Sequence, residues 1–316
     1  MSRHNEHGDS PAHIPVMAAE ALQMLSPRKG ATIVDATVGA GGHAAHIADA
    51  IGSNGRLIAI DRDPEALSCA RSSLARFSCG LDLVKGNFEN LGEILERLNI
   101  SAVDGILLDL GVSSLQMDNS ERGFSFMKDG PLDMRMNQEM ARPAEKAVNH
   151  LSEKRLIEIL QTYGEERFAR RIAKAIIRAR KRKRIDTTSN LVNVIKAAVP
   201  PRRYRIHPAT RTFMALRIFI NRELECLQNA LENIEDLMNP RARLVVIAFH
   251  SLEDRIVKHS LRQKAGEEIL NIITRKPLRP SDEEARENPR SRSAKLRAAE
   301  RIAQGCPGTV KRRPQA

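Results

Sequence analysis

Three aspartates and one glycine-rich turn carry the spacing of a ligand site. Asp35 closes the apolar run Thr32-Ile33-Val34, and four residues later comes Gly39-Ala40-Gly41-Gly42-His43. Glycines let a backbone approach a ligand closely, and the helix expected to follow offers unpaired N–H groups at its first turn. With Ala44 the turn also satisfies G-x-G-x-x-G/A, so alone it suits a dinucleotide as well as other adenosine-containing cofactors. Asp61 closes a second apolar run 20 residues beyond Gly41, about the spacing at which a carboxylate accepts ribose hydroxyls. Its alternative role is to cap the helix that Pro64 opens, shared with Asp63. Asp109 closes a third run, Leu107-Leu108-Asp109-Leu110-Gly111. There a carboxylate could accept hydrogen bonds from an exocyclic amine, whose delocalised lone pair makes it a poor nucleophile, or it could simply cap the loop.

Asp35 begins to separate the cofactors. A carboxylate beside a pyrophosphate is poorly placed, whereas beside the amino group and sulfonium of S-adenosylmethionine it is well placed. Satisfying loop N–H groups is the structural alternative. An NAD-dependent oxidoreductase and a non-catalytic RNA-binding module are the rival readings. The four cysteines, Cys69, Cys79, Cys226 and Cys306, form no C-x-x-C pair, and the nine histidines form no H-x-x-x-H pair. Neither a covalent cysteine mechanism nor a metal site is expected.

These residues need a scaffold, and the pattern supplies one. Strand-like runs at Thr32–Ala36, Arg56–Asp61, Leu81–Val84 and Val103–Leu110 alternate with helical patterns at Ala44–Ile51, Pro64–Phe77 and Leu91–Leu98. A further helix is expected over Met17–Leu25. Such alternation predicts an α/β fold with a mostly parallel sheet and a ligand at the carboxyl ends of its strands. The long stretch Gly111 to Asn137 has no period and reads as a functional loop. Helical patterns follow from Arg142 to Val199, with Thr188 or Ser189 as a cap. One long helix is expected from Phe213 to Met238, stopping at Asn239-Pro240, and then a buried strand at Arg243–Phe249. The tail from Arg275 is polar and is expected to be only partly ordered. This divides the chain into a core of 1–135 and 207–316 around a helical insert of 136–206.

Charge is unevenly spread along the chain. The net of +12 is the sum of −6 over residues 1–130 and +18 over residues 131–316. Residues 167–184 hold ten Lys/Arg and no acid, and Lys181-Arg182-Lys183-Arg184 and Arg202-Arg203-Tyr204-Arg205 extend the basic stretch. A solvated face is the bland explanation; a polyanion such as RNA is the favoured one. Phe124 and Phe126 are candidates to stack on a splayed-out base, or else to pack the core of their loop. Met1 to Ser10 is polar and no apolar run approaches the roughly 18 residues of a membrane span, so a cytoplasmic protein without leader or membrane association is expected.

Several stretches together resemble one family. They are His13-Ile14-Pro15-Val16, Asp35 to His43, Leu108 to Ser114, Gly123-Phe124-Ser125-Phe126, Pro131 to Met136, His207 to Phe213, Phe249 to Arg255 and Ser291 to Arg297. The chain is similar to the MraW family of ribosomal RNA small-subunit methyltransferases from about residue 13 to 301. The resemblance implies a Rossmann-like core with a helical insert. It also implies methyl transfer from S-adenosylmethionine to the N4 amine of a cytidine in the decoding region of bacterial small-subunit ribosomal RNA. By position it implies cofactor contacts at Gly41, Gly42, His43, Asp61, Phe88, Asp109 and Gln116, with Asp109 the candidate catalytic residue. Many amine methyltransferases end the fourth strand in Asp/Asn-Pro-Pro-aromatic; here Asp109-Leu110-Gly111-Val112 stands instead, so no residue is assigned to stack on the cytosine. The partner implied is the ribosomal RNA, in an assembled or nearly assembled particle, and a homodimer is left open.

Overall fold

The apolar runs that end in Asp35, Asp61 and Asp109 become adjacent strands whose carboxyl ends lie side by side. The computed structural model describes residues 15–140, 142–201 and 206–303. Of the stretches singled out above, Met1 to Ser10, His13-Ile14, Arg202 to Arg205, Cys306 and Lys311 to Ala316 lie outside the described residues. The chain begins with α1 (Ala18–Leu25), β1 (Thr32–Asp35), α2 (Gly42–Ile51), β2 (Arg56–Asp61), α3 (Pro64–Leu74), β3 (Gly80–Lys85), α4 (Leu91–Arg97) and β4 (Val103–Asp109). It continues through α5 (Ser114–Asp118), α6 (Ala144–His150), α7 (Glu153–Gly164), α8 (Ala169–Arg180), α9 (Thr188–Ala198), α10 (Thr210–Asn221) and α11 (Glu223–Glu232). It ends with β5 (Met238–Ala248), α12 (Ser251–Gly266), β6 (Leu270–Ile272), α13 (Asp282–Glu287) and β7 (Lys295–Arg301).

The sheet has the order β3-β2-β1-β4-β5-β7-β6. The first five strands are mutually parallel, and β7 runs antiparallel to both β5 and β6. Successive side chains of a strand face opposite layers. Ile33, Leu57, Ala59 and Leu107 accordingly join the layer of α1, α2 and α3, while Val34, Ile58, Ile60 and Leu108 join that of α4, α11 and α12. Burial on both faces explains why these strands read as continuous apolar runs.

A third cluster stands apart from the sheet. It runs from Phe124 to Ile220 and packs α6 to α10 on one another through Leu156, Ile172, Ile176, Leu191 and Phe213. Its residues extend beyond 136–206 at both ends. Phe124 is buried in it, and Phe126 packs against it and stacks on His207 at 4.7 Å. Core packing is the role the structure shows for Phe124, while Phe126 is half-buried at the cluster's edge.

Three expectations are corrected. The single helix from Phe213 to Met238 is two, because Arg222 adopts a left-handed conformation at φ 51° between α10 and α11. Asn239-Pro240 does not stop a helix; it lies inside β5, which starts at Met238. The polar tail as far as residue 303 is built into the sheet. Leu296, Ala298 and Ala299 of β7 are buried between β5 and β6. Among the described residues, no helix is long and apolar enough to cross a membrane.

Candidate functional site

A cleft of about 1210 Å³, measured out to its mouth, opens at the carboxyl ends of β1 to β5. Six of the seven predicted cofactor residues line it: Gly42, His43, Asp61, Phe88, Asp109 and Gln116. Gly41 does not. It sits at φ 91° in the turn before α2, and a Cβ there would come within 2.5 Å of Ser73 Oγ on α3. Its bareness serves the packing of the turn on α3. Gly42 faces the cleft, and a Cβ on it would press to 3.1 Å against Pro15.

Asp61 holds the turn in shape. Its Oδ2 accepts the Gly39 N–H at 2.9 Å and its Oδ1 accepts the Asp63 N–H at 2.9 Å. Each oxygen keeps a second lone pair toward the cleft. Burial raises its pKa above the ordinary carboxylate value, against the pull of those two N–H donors. The helix cap is Asp63 alone, whose Oδ1 accepts the Glu65 N–H. Asp63 Oδ2 meets Gln116 Nε2 at 2.8 Å and Arg122 at 2.7 Å. Gln116 Oε1 in turn accepts the Ser113 N–H in the capping box of α5. The Gln116 amide is thus bound up in holding the loop after β4, although its side reaches the cleft wall.

That loop is ordered by one guanidinium. Arg122, buried, also reaches Glu65 at 3.1 Å and the carbonyls of Arg135 and Met136 at 3.1 and 2.9 Å. Asn221 at the end of α10 closes the circuit, accepting from Met136 N–H and donating to the Met134 carbonyl. The cap of one helix, the aperiodic loop and the insert therefore meet at the cleft through hydrogen bonds that sequence spacing does not encode.

The floor is acidic. Asp35 lies beneath Ala36 and Thr37 rather than in the wall itself, and its Oδ1 accepts the Thr37 N–H at 3.2 Å. Burial raises its pKa from 3.8 to about 7, opposed by His43 and the Thr37 N–H and reinforced by Asp109 and Asp61. Of the two sequence readings of Asp35, the loop N–H role is the one seen in the hydrogen bonds. His43, from the first turn of α2, sets Nε2 at 3.5 Å from Asp109 Oδ2. That is longer than a good hydrogen bond. Burial disfavours its charged form, but Asp109, with Asp35 and Glu284 behind it, outweighs burial and raises its pKa above 6.5. Asp109 donates its backbone N–H to Thr37 Oγ1 at 2.6 Å.

Asp35 Oδ2, His43 Nε2 and Asp109 Oδ1 are buried without a hydrogen-bond partner among the described residues. Buried polar atoms left unpaired in a cleft mark where a ligand completes the structure. Asp35 and Asp109 beside one imidazole, with Asp61 at the neighbouring strand end, suit a cationic ligand, and they would repel a pyrophosphate. The donor set therefore fits the sulfonium and ammonium of S-adenosylmethionine better than a dinucleotide.

Glu223, His250 and Glu253, whose donor atoms lie within 4.8 Å of one another, have the composition of a cation site. All of their polar atoms but His250 Nε2 are already engaged. Arg217 forks onto both oxygens of Glu223 at 2.9 and 2.8 Å. His250 Nδ1 accepts the Glu253 N–H, while its Nε2 lies 3.1 Å from Glu253 Oε1 without a hydrogen-bond partner among the described residues. Glu253 Oε2 accepts the N–H groups of Phe249 and His250. Burial works against charge on Glu253, but His250, Arg217 and the Phe249 N–H hold its pKa below the ordinary value. The trio caps α12 and braces the end of β5. Phe249, Glu253, Met136 and Arg290 line the cleft as well. The first three fall in stretches singled out from the sequence, without a role attached to them. Arg290 lies in the polar tail, where no sequence signal marks it.

Away from the cleft, the buried side of α8 is Ala169, Ile172, Ala173 and Ile176, and its other side presents Arg170, Arg171, Lys174 and Arg178 to solvent. Lys181 to Arg184 are exposed beyond it. Two members of the run are structural: Arg180 caps the carbonyls of Val148 and Leu151, and Arg184 pairs with Glu145 at 2.6 Å.

A model of the MraW methylase family matches residues 10–302. Ribosomal RNA small subunit methyltransferase H of Geobacter sulfurreducens is 50% identical over 308 residues, covering 92% of this chain and 99% of the relative. The proteins of that name from Pelobacter propionicus and Acidobacterium capsulatum are 46% and 47% identical, each covering 92% of this chain and 98% of the relative. With a family model spanning almost the whole chain and relatives this similar along their whole length, the chain belongs to the MraW methylase family.

Proposed function

We propose that the protein transfers a methyl group from S-adenosylmethionine to the exocyclic N4 amine of a cytidine in the decoding region of bacterial small-subunit ribosomal RNA. The observation that carries this reading is the acidic floor, with Asp109 Oδ1 buried and unpartnered at the end of β4 among the described residues. Bound in this cleft, S-adenosylmethionine would supply a methyl group on an electron-poor sulfur. Asp61 would take the ribose hydroxyls with its remaining lone pairs, Phe88 would lie against the adenine, and the turn at Gly42-His43 would offer backbone N–H groups. Asp109 would accept a hydrogen bond from the N4 amine and then the proton that the amine sheds as its new N–C bond forms. Orientation and an acceptor suffice, so no covalent nucleophile is required.

Catalysis falls in this division to the core and docking on ribosomal RNA to the insert, where the exposed arginines and lysines of α8 and of Lys181 to Arg184 would meet phosphates. The substrate we favour is an assembled or nearly assembled particle, and the compartment the cytoplasm. The deciding experiment is to treat small-subunit particles lacking the modification with the protein and labelled cofactor, and to map the methylated nucleotide. Label on one cytidine N4 supports the reading. Binding without label leaves an RNA-binding module, and tight NAD binding without S-adenosylmethionine binding leaves an oxidoreductase.

A further inference from the structure

The cleft has two aromatic ends, and strand order separates them. Phe88 follows β3, at one edge of the parallel strands, and Phe249 follows β5, at the other. Asp61 and Asp109, ending β2 and β4, lie between them. If ribose and adenine occupy the β2–β3 side, the room left for a substrate base lies between Asp109 and Phe249.

Phe249 is built to be a fixed surface there. Its N–H is held by Glu253 Oε2 at 2.8 Å, and Glu253 is itself buried and tied to His250. The ring lies beside the bare backbone of Gly111, where φ is 101° and a Cβ would stand 3.6 Å from Phe249 Cδ2. Arg290 comes to the same mouth from the antiparallel edge of the sheet. It sits in the short turn Pro289–Ser293 that feeds β7, and β7 starts by pairing Lys295 with Ala248, the residue before Phe249. Its guanidinium touches Asp118 at 2.6 Å in an exposed pair, the kind that yields readily to a better partner. The other guanidinium donors remain for a ligand.

Cytosine presents a donor at N4 and two adjacent acceptors at N3 and O2; uracil replaces the first two with an acceptor and a donor. A planar guanidinium matches two adjacent acceptors, and a carboxylate matches the amino donor. We propose that the β5 side of the cleft is the pyrimidine subsite, in which Phe249 stacks on the base and Arg290 donates to N3 and O2, setting N4 against Asp109. The assignment rests on the methyltransferase reading and adds to it the residues that choose the base. Uracil would turn an N3–H toward the guanidinium and a carbonyl toward Asp109, so it is refused on both edges.

The test compares wild type with Phe249→Leu, Phe249→Tyr and Arg290→Gln in methyl transfer to unmodified small-subunit particles. Binding of S-adenosylmethionine is titrated in parallel. Phe249→Leu and Arg290→Gln are each expected to lower kcat/KM about tenfold or more, the scale of one base–aromatic stack or one bidentate hydrogen-bonded pair. Cofactor affinity should stay within about twofold, and Phe249→Tyr should keep most activity. Arg290→Gln alters an exposed side chain, so its loss is not a folding effect. Unchanged kcat/KM in either variant, or an equal loss of cofactor binding, overturns the subsite. If wild type itself transfers no methyl group, the methyltransferase reading falls first and the subsite with it.

Discussion

Replacing Asp35 by Asn removes a charge from beneath the cleft while keeping the shape of the side chain. Its carboxyl moves from 3.8 to about 7, through burial first, with His43 and the Thr37 N–H pulling the other way. A carboxyl whose pKa is higher folded than unfolded binds more protons in the folded state between those two values. Its contribution to stability is therefore fullest below pH 3.8 and is lost as pH rises toward 7. Three units at about 1.36 kcal/mol each make ionised Asp35 a burden of roughly 4 kcal/mol. That figure is already net of His43. Asn has no charge to desolvate and its Oδ1 still accepts the Thr37 N–H, but its amide NH2 is buried where Asp35 Oδ2 has no partner among the described residues, which costs about 1–3 kcal/mol. A net gain of roughly 1–3 kcal/mol at about pH 8 remains, which at about 2–4 °C per kcal/mol raises the melting temperature by several degrees. At about pH 4.5, where Asp35 is already neutral in the fold, the gain should nearly vanish. Thermal melts of both proteins without ligand, at the two pH values, read this directly. The same substitution should weaken S-adenosylmethionine binding, because the floor loses negative charge. An Asn variant destabilised equally at both pH values would refute the reasoning and leave Asp35 an ordinary turn acceptor.

Asp61→Ala should weaken S-adenosylmethionine binding by roughly tenfold or more, the scale of charge-assisted hydrogen bonds, while RNA binding changes little. Equal loss of both, or failure to fold, would mean that its bonds to Gly39 and Asp63 are its whole role. Replacing Lys181, Arg182, Lys183 and Arg184 by Gln should weaken RNA binding and flatten its dependence on log salt, by roughly 0.7–0.9 for each phosphate the variant no longer neutralises. An unchanged salt slope would show a merely solvated face.

The parallel half of the fold was legible because its strands are buried on both faces and end in punctuation. Ile33, Ile58 and Ile106 sit in continuous apolar runs, and an aspartate closes each run at the cleft. The antiparallel edge was not. Lys295-Leu296-Arg297-Ala298-Ala299-Glu300-Arg301 has no clean alternation, because its charged side chains are satisfied locally: Lys295 and Arg297 pair with Asp254, and Glu300 with Arg243. Pairing with β5 on one side and β6 on the other makes the segment a strand. The break between α10 and α11 escaped for a different reason. Apolar spacing continues through Arg222, and nothing in a residue other than glycine announces a left-handed turn.

The same contrast runs through the cleft. Residues contributed by strand ends, Asp61 and Asp109, announce themselves, since position along a strand fixes which way the chain emerges. Residues that enter from elsewhere do not. Arg290 reaches the mouth because β7 folds back antiparallel beside β5, and Gln116 is held at its wall both by its own capping box and by Asp63, from another strand–helix turn, which accepts its amide. On the proposed division, the base-reading side of the cleft is assembled by the antiparallel edge of the sheet, and the cofactor side by the parallel strands. A lesion in β7 that spares β1 to β4 should accordingly injure base recognition before cofactor binding, since the parallel strands carry the glycine turn without it.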